Sequence, residues 1–180
     1  EHPLPRSDET ISRMVDLGVD AVPTFVPYQL IIGMAGGYYG STSRRFTLTE
    51  DIMFEQGQKM RDAGVRLGVG TDLILDWYQF LPGPYIRELQ NFETLGYTPA
   101  EAVIAATSTN AAITGMDDKL GTIEVGKLAD VIIVSGRPDE DVTDLANVDT
   151  VIIGGRIVVL DNQVVLPGPH IPKSLPDSTE

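Results

Sequence analysis

At 180 residues, 42% hydrophobic and 22% charged, the chain is long enough for one domain or one and a half small ones, and its composition excludes disorder as the default. A net charge of −13 argues against nucleic acid and anionic membrane as partners. With no cysteine, disulfides and thiolate ligands are excluded, so a metal here must be held by His, carboxylate or a modified side chain.

The chain opens on Glu1-His2 with neither Met nor a basic leader region, which reads as a fragment or processed product and leaves localisation open. Glu1 to Pro5 is extended, held by two prolines. Ser7 and Asp8 offer an N-cap, and Ile11, Met14, Val15 and Leu17 form a helical stripe that stops at Gly18. Ala21 to Val26 reads as a short strand buried on both faces. Residues 28–47 read as a long connection rich in Gly, Tyr and Ser, a length that usually marks a functional or mobile loop. Thr47 or Thr49 starts the next helix, with Ile52, Met53, Gln56 and Met60 facing inward and Gly64 ending it. Val65 to Thr71 is the next strand, and Asp72 to Pro84 a loop carrying Trp77, Tyr78 and Phe80.

Ile86 to Leu95 reads as a helix ended by Gly96, and Thr98-Pro-Ala-Glu101 is a capping box with Pro at the first helical position. Val103, Ile104, Ala106 and Thr107 continue that helix, and a short piece over Asn110 to Thr114 ends at Gly115. The pattern then changes. Val131 to Val134 is a strand, Val151 to Ile153 and Ile157 to Leu160 flank a Gly154-Gly155 turn as a hairpin, and Val164-Val165 offers a last strand. The Pro-rich, polar end of the chain reads as a tail. No apolar run approaches the roughly 20 residues of a membrane span.

Alternating strands and helices to about residue 115 imply a parallel sheet or barrel. Three strand positions, near His2, Val22 and Val69, cannot close a barrel of eight. An open sheet of that size leaves two unpaired edges, which predicts association, homo-oligomers included, and poor cooperativity on melting.

Asp72 follows Gly68-Val-Gly-Thr, at the carboxyl end of an apolar strand, where α/β barrels keep their chemistry. It can be a metal ligand or general base, or a turn or helix-capping acid, the commoner role of an aspartate on spacing alone. His2 stands before a helix start, either as a solvated terminal residue or at a strand-to-loop boundary; His170 lies in the tail and reads as structural or solvent-exposed. Gly33 to Gly40 lacks both G-x-G-x-x-G spacing and a P-loop lysine and reads as a flexible loop. Trp77, Tyr78 and Phe80 either line an apolar substrate pocket or cover the barrel mouth, and Arg44-Arg45 reads as a solvated pair. There is no G-x-S-x-G nucleophile elbow.

In order along the chain stand Glu1-His2-Pro3, Val22-Pro-Thr-Phe25, Gly68-Val-Gly-Thr-Asp72, Glu88-Leu-Gln90, Leu95-Gly-Tyr-Thr-Pro-Ala-Glu-Ala102, Ala105-Ala-Thr-Ser-Thr-Asn-Ala-Ala112 and Gly121-Thr-Ile-Glu-Val-Gly-Lys-Leu-Ala-Asp130. From residue 1 to about 160 this series resembles the amidohydrolase superfamily, in its imidazolonepropionase-like and Xaa-Pro dipeptidase-like branch. The resemblance implies an α/β fold: the C-terminal part, about three strand–helix units (strands 6–8), of a metal-dependent TIM-type (β/α)8 barrel over residues 1–115. It also implies part of a small β-sandwich over 116–166, followed by the tail, 167–180. By that resemblance His2 matches the metal-binding histidine of strand six and Asp72 the aspartate of strand eight, a ligand and the proton-transfer group of a site for one or two divalent ions, usually zinc. The implied activity is hydrolysis of an amide, cyclic amide or dipeptide bond by a metal-bound hydroxide, with a small amide-type molecule as substrate. The family's other ligands, an H-x-H pair, a lysine or glutamate and a further histidine, have no counterpart here, so the missing N-terminal half is an implied partner. A zinc site takes about three protein ligands and a water, so the chain alone is expected to be inactive. The same scaffold acting on a carbamate, lactone or phosphoester, and a non-catalytic scaffold protein, remain alternatives.

Overall fold

The computed structural model describes residues 2–35, 48–73 and 80–166. Helix α1 (Asp8–Asp16) starts where the Ser7 side chain accepts from the Thr10 amide, with Asp8 and Glu9 in its first turn. Helix α3 (Glu50–Ala63) is capped by Thr49, whose side chain accepts from the Ile52 amide, and it ends at Gly64 in a left-handed conformation that only glycine adopts without strain. Helix α4 (Gly83–Thr94) has Pro in its first turn, and α5 (Pro99–Ile104) carries the complete capping box between Thr98 and Glu101.

Helix α2 (Phe25–Ala35) departs from the sequence expectation. Ala21 to Val26 reads as a strand and 28–47 as a connection, yet the strand stops before Phe25 and residues 25–35 are helical, Gly33 among them. The run Phe25-Val-Pro-Tyr-Gln-Leu-Ile-Ile32 is apolar enough for a buried strand, and no local side chain caps a helix there; the cap comes from elsewhere in the chain. Residues 36–47, with Arg44-Arg45, lie outside the described residues.

The expected parallel strands are reduced to one bridge between Ala21 and Leu67, in which the Ala21 amide donates to the Arg66 carbonyl at 3.0 Å and the Gly68 amide to the Ala21 carbonyl at 2.9 Å. The segment near His2 is extended but forms no ladder. A strand exists by its pairing, and among the described residues these segments have no further parallel neighbour.

After α5 the helix widens into a π-turn over Ala105–Thr109 before α6 (Asn110–Ile113). The Thr107 hydroxyl donates to the Val103 carbonyl at 2.7 Å, competing with the backbone ladder at this point. Pattern reading, which continues a plain helix here, misses the widening.

The last part is an antiparallel sheet in the order β1 (Val131–Val134), β2 (Val148–Ile153), β3 (Arg156–Leu160), β4 (Gln163–Val164). A 3-10 turn over Val142–Ala146, unforeseen in sequence, joins it to the helices and buries Val142 among them. The core lies on the helical side, with Phe25, Met53, Met60, Leu89 and Phe92 sealed from solvent.

Candidate active site

Two carboxyl-terminal strand ends and the segment before α1 meet at one place. Gly70 allows the meeting: a Cβ on it would lie 2.6 Å from Val22 Cγ1 and 3.9 Å from Thr24 Cγ2. Gly68 likewise faces the Asn110 side chain, and Asn110 Nδ2 donates to the Val69 carbonyl at 2.8 Å. Both glycines of Gly68-Val-Gly-Thr-Asp72 are thus sites of close approach. Asp72, two residues beyond Gly70, is exposed.

His2 is half-buried, and its Nδ1 lies 3.0 Å from Thr24 Oγ1. The ring meets Tyr28 edge-on, with centroids 5.2 Å apart. Arg6 fastens its backbone by donating from the guanidinium to the carbonyls of His2 (3.1 Å) and Leu4 (2.9 Å). The Arg6 amide is in turn held by Gln56 Oε1 at 2.7 Å. His2 therefore contacts Thr24, which packs toward Gly70.

His2 (φ 66°), Thr24 (φ 51°) and Asp72 (φ 45°) all have left-handed backbones. The other described non-glycine residues of this kind, Asp161 and Asn162, occupy the β3–β4 turn, where their side chains tolerate it. For β-branched Thr24 it costs about 1–3 kcal/mol and persists only where the surroundings over-determine it.

The surroundings include Glu88, whose side chain is wholly buried. Its Oε1 accepts from the Phe25 amide and Oε2 from the Val26 amide, each at 2.9 Å. These are the first two N–H groups of α2, and the third residue, Pro27, has none. Glu88 is the missing cap. Burial drives its carboxyl up to about 7, against the two amides and Asn91, which pull it down.

Thr24, Glu88 and Asn110 were not singled out as functional in the sequence. A signal for Glu88 exists: Tyr85, Glu88, Phe92 and Leu95 fall on one helical stripe, and a glutamate on an apolar stripe requires a buried partner. Phe80 is 62% exposed; Trp77, Tyr78, His170 and the tail lie outside the described residues.

An imidazole and a carboxylate are donors a divalent ion takes, so His2 and Asp72 suit two positions of a metal cage. They do not make a whole one: among the described residues no three His, Asp or Glu side chains are grouped to hold an ion. No helix among the described residues is long and apolar enough to cross a membrane.

The family match and the solved structures that this chain resembles imply a TIM-barrel-type fold of mixed helix and sheet. Residues 55–158 match the model of the Amidohydrolase family, and the chain belongs to the amidohydrolase superfamily. It is 31% identical over 169 residues to an imidazolonepropionase of Geobacillus kaustophilus, covering 92% of this chain and 35% of that protein. It is 32% identical over 123 residues to a 5-methylthioadenosine/S-adenosylhomocysteine deaminase of Symbiobacterium thermophilum, covering 57% of this chain and 28% of the relative. The crystal structure of a Xaa-Pro dipeptidase with bound methionine in the active site matches with a TM-score of 0.70 and 29% identity, covering 83% of this chain and 36% of that one. The chain spans about a third of the length of these curated relatives.

Proposed function

We propose that this chain is the C-terminal portion of a metal-dependent hydrolase acting on a carbon–nitrogen bond in an amide, cyclic amide or dipeptide. Residues 1–115 would supply strand–helix units six to eight of a (β/α)8 barrel, and residues 116–166 part of a small composite β-sandwich. The observation that carries the reading is the contact of His2 with Thr24, together with the close approach of Gly70, two residues before Asp72, to Val22, in a chain of this family. The imidazolonepropionase and Xaa-Pro dipeptidase likenesses each cover most of the chain and support a cyclic amide or a dipeptide as substrate class.

His2 and Asp72 would hold the ion, probed first as zinc, with the remaining ligands from polypeptide outside this chain. When bound, the ion polarises the scissile carbonyl and makes a water nucleophilic near neutral pH. Asp72 then does the proton work: its carboxylate takes a proton from the attacking water and returns it to the leaving nitrogen as the C–N bond breaks. Thr24 and Arg6 hold His2 in place while this happens. A non-catalytic scaffold would have no use for a histidine–aspartate pair at the strand ends, so the pair favours the enzyme.

The test is zinc content and amide hydrolysis by the complete protein with His2→Ala and Asp72→Asn. Both variants should lose about 10²–10⁴-fold in kcat, and His2→Ala should also lose zinc. Hydrolysis that survives both substitutions would show the assignment to be wrong.

A further inference from the structure

We propose that Glu88 is a positioning residue for His2: by clamping the first two amides of α2 it holds Thr24 in the left-handed conformation from which the threonine hydroxyl fixes Nδ1 of the imidazole. This rests on the reading of His2 as a metal ligand.

The geometry is specific to a carboxylate. Each oxygen of Glu88 takes one amide, Phe25 on Oε1 and Val26 on Oε2, both at 2.9 Å. In the same position a glutamine would turn a donor NH2 toward one of the two amides. The Phe25 amide belongs to the peptide unit that follows Thr24, so the clamp sets the plane from which Thr24 departs. A β-branched residue rests at φ 51° only when held there. From this position Thr24 Oγ1 stands 3.0 Å from Nδ1 of His2.

The consequence is a choice of tautomer. With the proton on Nδ1 donated to Thr24, Nε2 presents the lone pair that ligation requires. If the hydroxyl donated to Nδ1 instead, the proton would sit on Nε2 and oppose binding. A buried carboxylate raised to about 7 is costly for a helix cap alone, and Glu88 occupies a stripe position that an apolar residue would fill. The cap it forms falls on the two amides that directly follow Thr24.

The experiment uses the complete protein labelled with ¹⁵N-histidine, with zinc as the probe. Unaltered protein without metal should show His2 protonated on Nδ1. Glu88→Gln should shift that tautomer, weaken zinc about 10-fold and lower kcat with KM unchanged. Thr24→Val should do the same, Thr24→Ser should retain zinc, and Glu88→Gln combined with Thr24→Val should be no worse than Thr24→Val alone. The proposal is overturned if Glu88→Gln leaves tautomer and zinc affinity unchanged, or if the two losses multiply. Should Glu88→Gln not fold, Glu88→Asp, which draws both oxygens back by one methylene, is read by the same two measures, and unchanged values overturn it. If the unaltered protein binds no zinc while the variants still switch the tautomer, the metal reading fails and the positioning of His2 stands. If there is neither zinc nor a tautomer change, both are overturned.

Discussion

Phe25, Met53, Leu89 and Phe92, from α2, α3 and α4, are closed off from solvent by one another, whereas Ile132 and Ile133, neighbours in β1, are each about half exposed although they point to opposite faces of their sheet. Ile153 and Ile157 are also exposed, and Ile123 and Val125, in the turn region before β1, are almost fully so. The helical part satisfies its apolar residues from within. The sheet does so only in part; Thr150 is buried, but several of its apolar residues stay exposed. A sheet needs a second layer to bury its apolar side chains, and the proposed composite sandwich would supply one.

The largest expected effect breaks this comparison directly. Phe92→Ala should cost about 3–5 kcal/mol in denaturant unfolding, because the helical core cannot refill the cavity. Ile132→Ala in this chain should cost less than about 1 kcal/mol. Equal losses would mean that the sheet is as well buried as the helices.

Next comes the pH dependence of the Glu88 clamp. The carboxyl lies at about 7 in the folded state against 4.5 in the unfolded chain, so the folded protein binds the extra proton. The stability contributed by that bound proton is fully present below pH 4.5 and is lost as pH rises through 7, a fall of about 3 kcal/mol that marks the cost of ionising the buried carboxyl. Glu88→Gln should remove that slope; a slope unchanged from the unaltered protein would place the titrating group elsewhere.

A smaller effect is expected at the capping box. Thr98→Ala should cost about 1 kcal/mol, since the Glu101 amide then loses its acceptor. Thermal unfolding with Thr98→Ser as the control reads it.

At the bottom of the scale, Ile123→Ser and Val125→Ser should change stability by less than about 0.5 kcal/mol and should lower self-association in sedimentation. A loss above about 2 kcal/mol would show these side chains to be covered within the chain itself.

Much of the architecture was legible because its signals are local. Ser7, Thr49 and the Thr98–Glu101 box each satisfy amides within three residues, and Gly64 and Gly96 end their helices by their own backbone freedom. The β2–β3 hairpin follows from Gly154-Gly155 between apolar runs, again a property of neighbours. The start of α2 was not legible, because its cap sits 63 residues away from Phe25. The candidate site divides the same way: His2 and Asp72 could be picked out by residue type and by the motifs around them, but Thr24 and Asn110 act through contacts across 22 and 41 positions.

The sequence by itself determined the family, the helix boundaries set by local caps and the terminal hairpin, and it offered His2 and Asp72 as candidates for a metal site. Only the tertiary structure decided that the apolar run after Thr24 is a helix, that Glu88 is buried as its cap, and that Thr24 stands against His2. The physical reason is the range of the interactions. Caps and turns are completed within a few residues and leave a pattern in the chain, whereas a buried carboxylate finds its amides only when distant segments have packed.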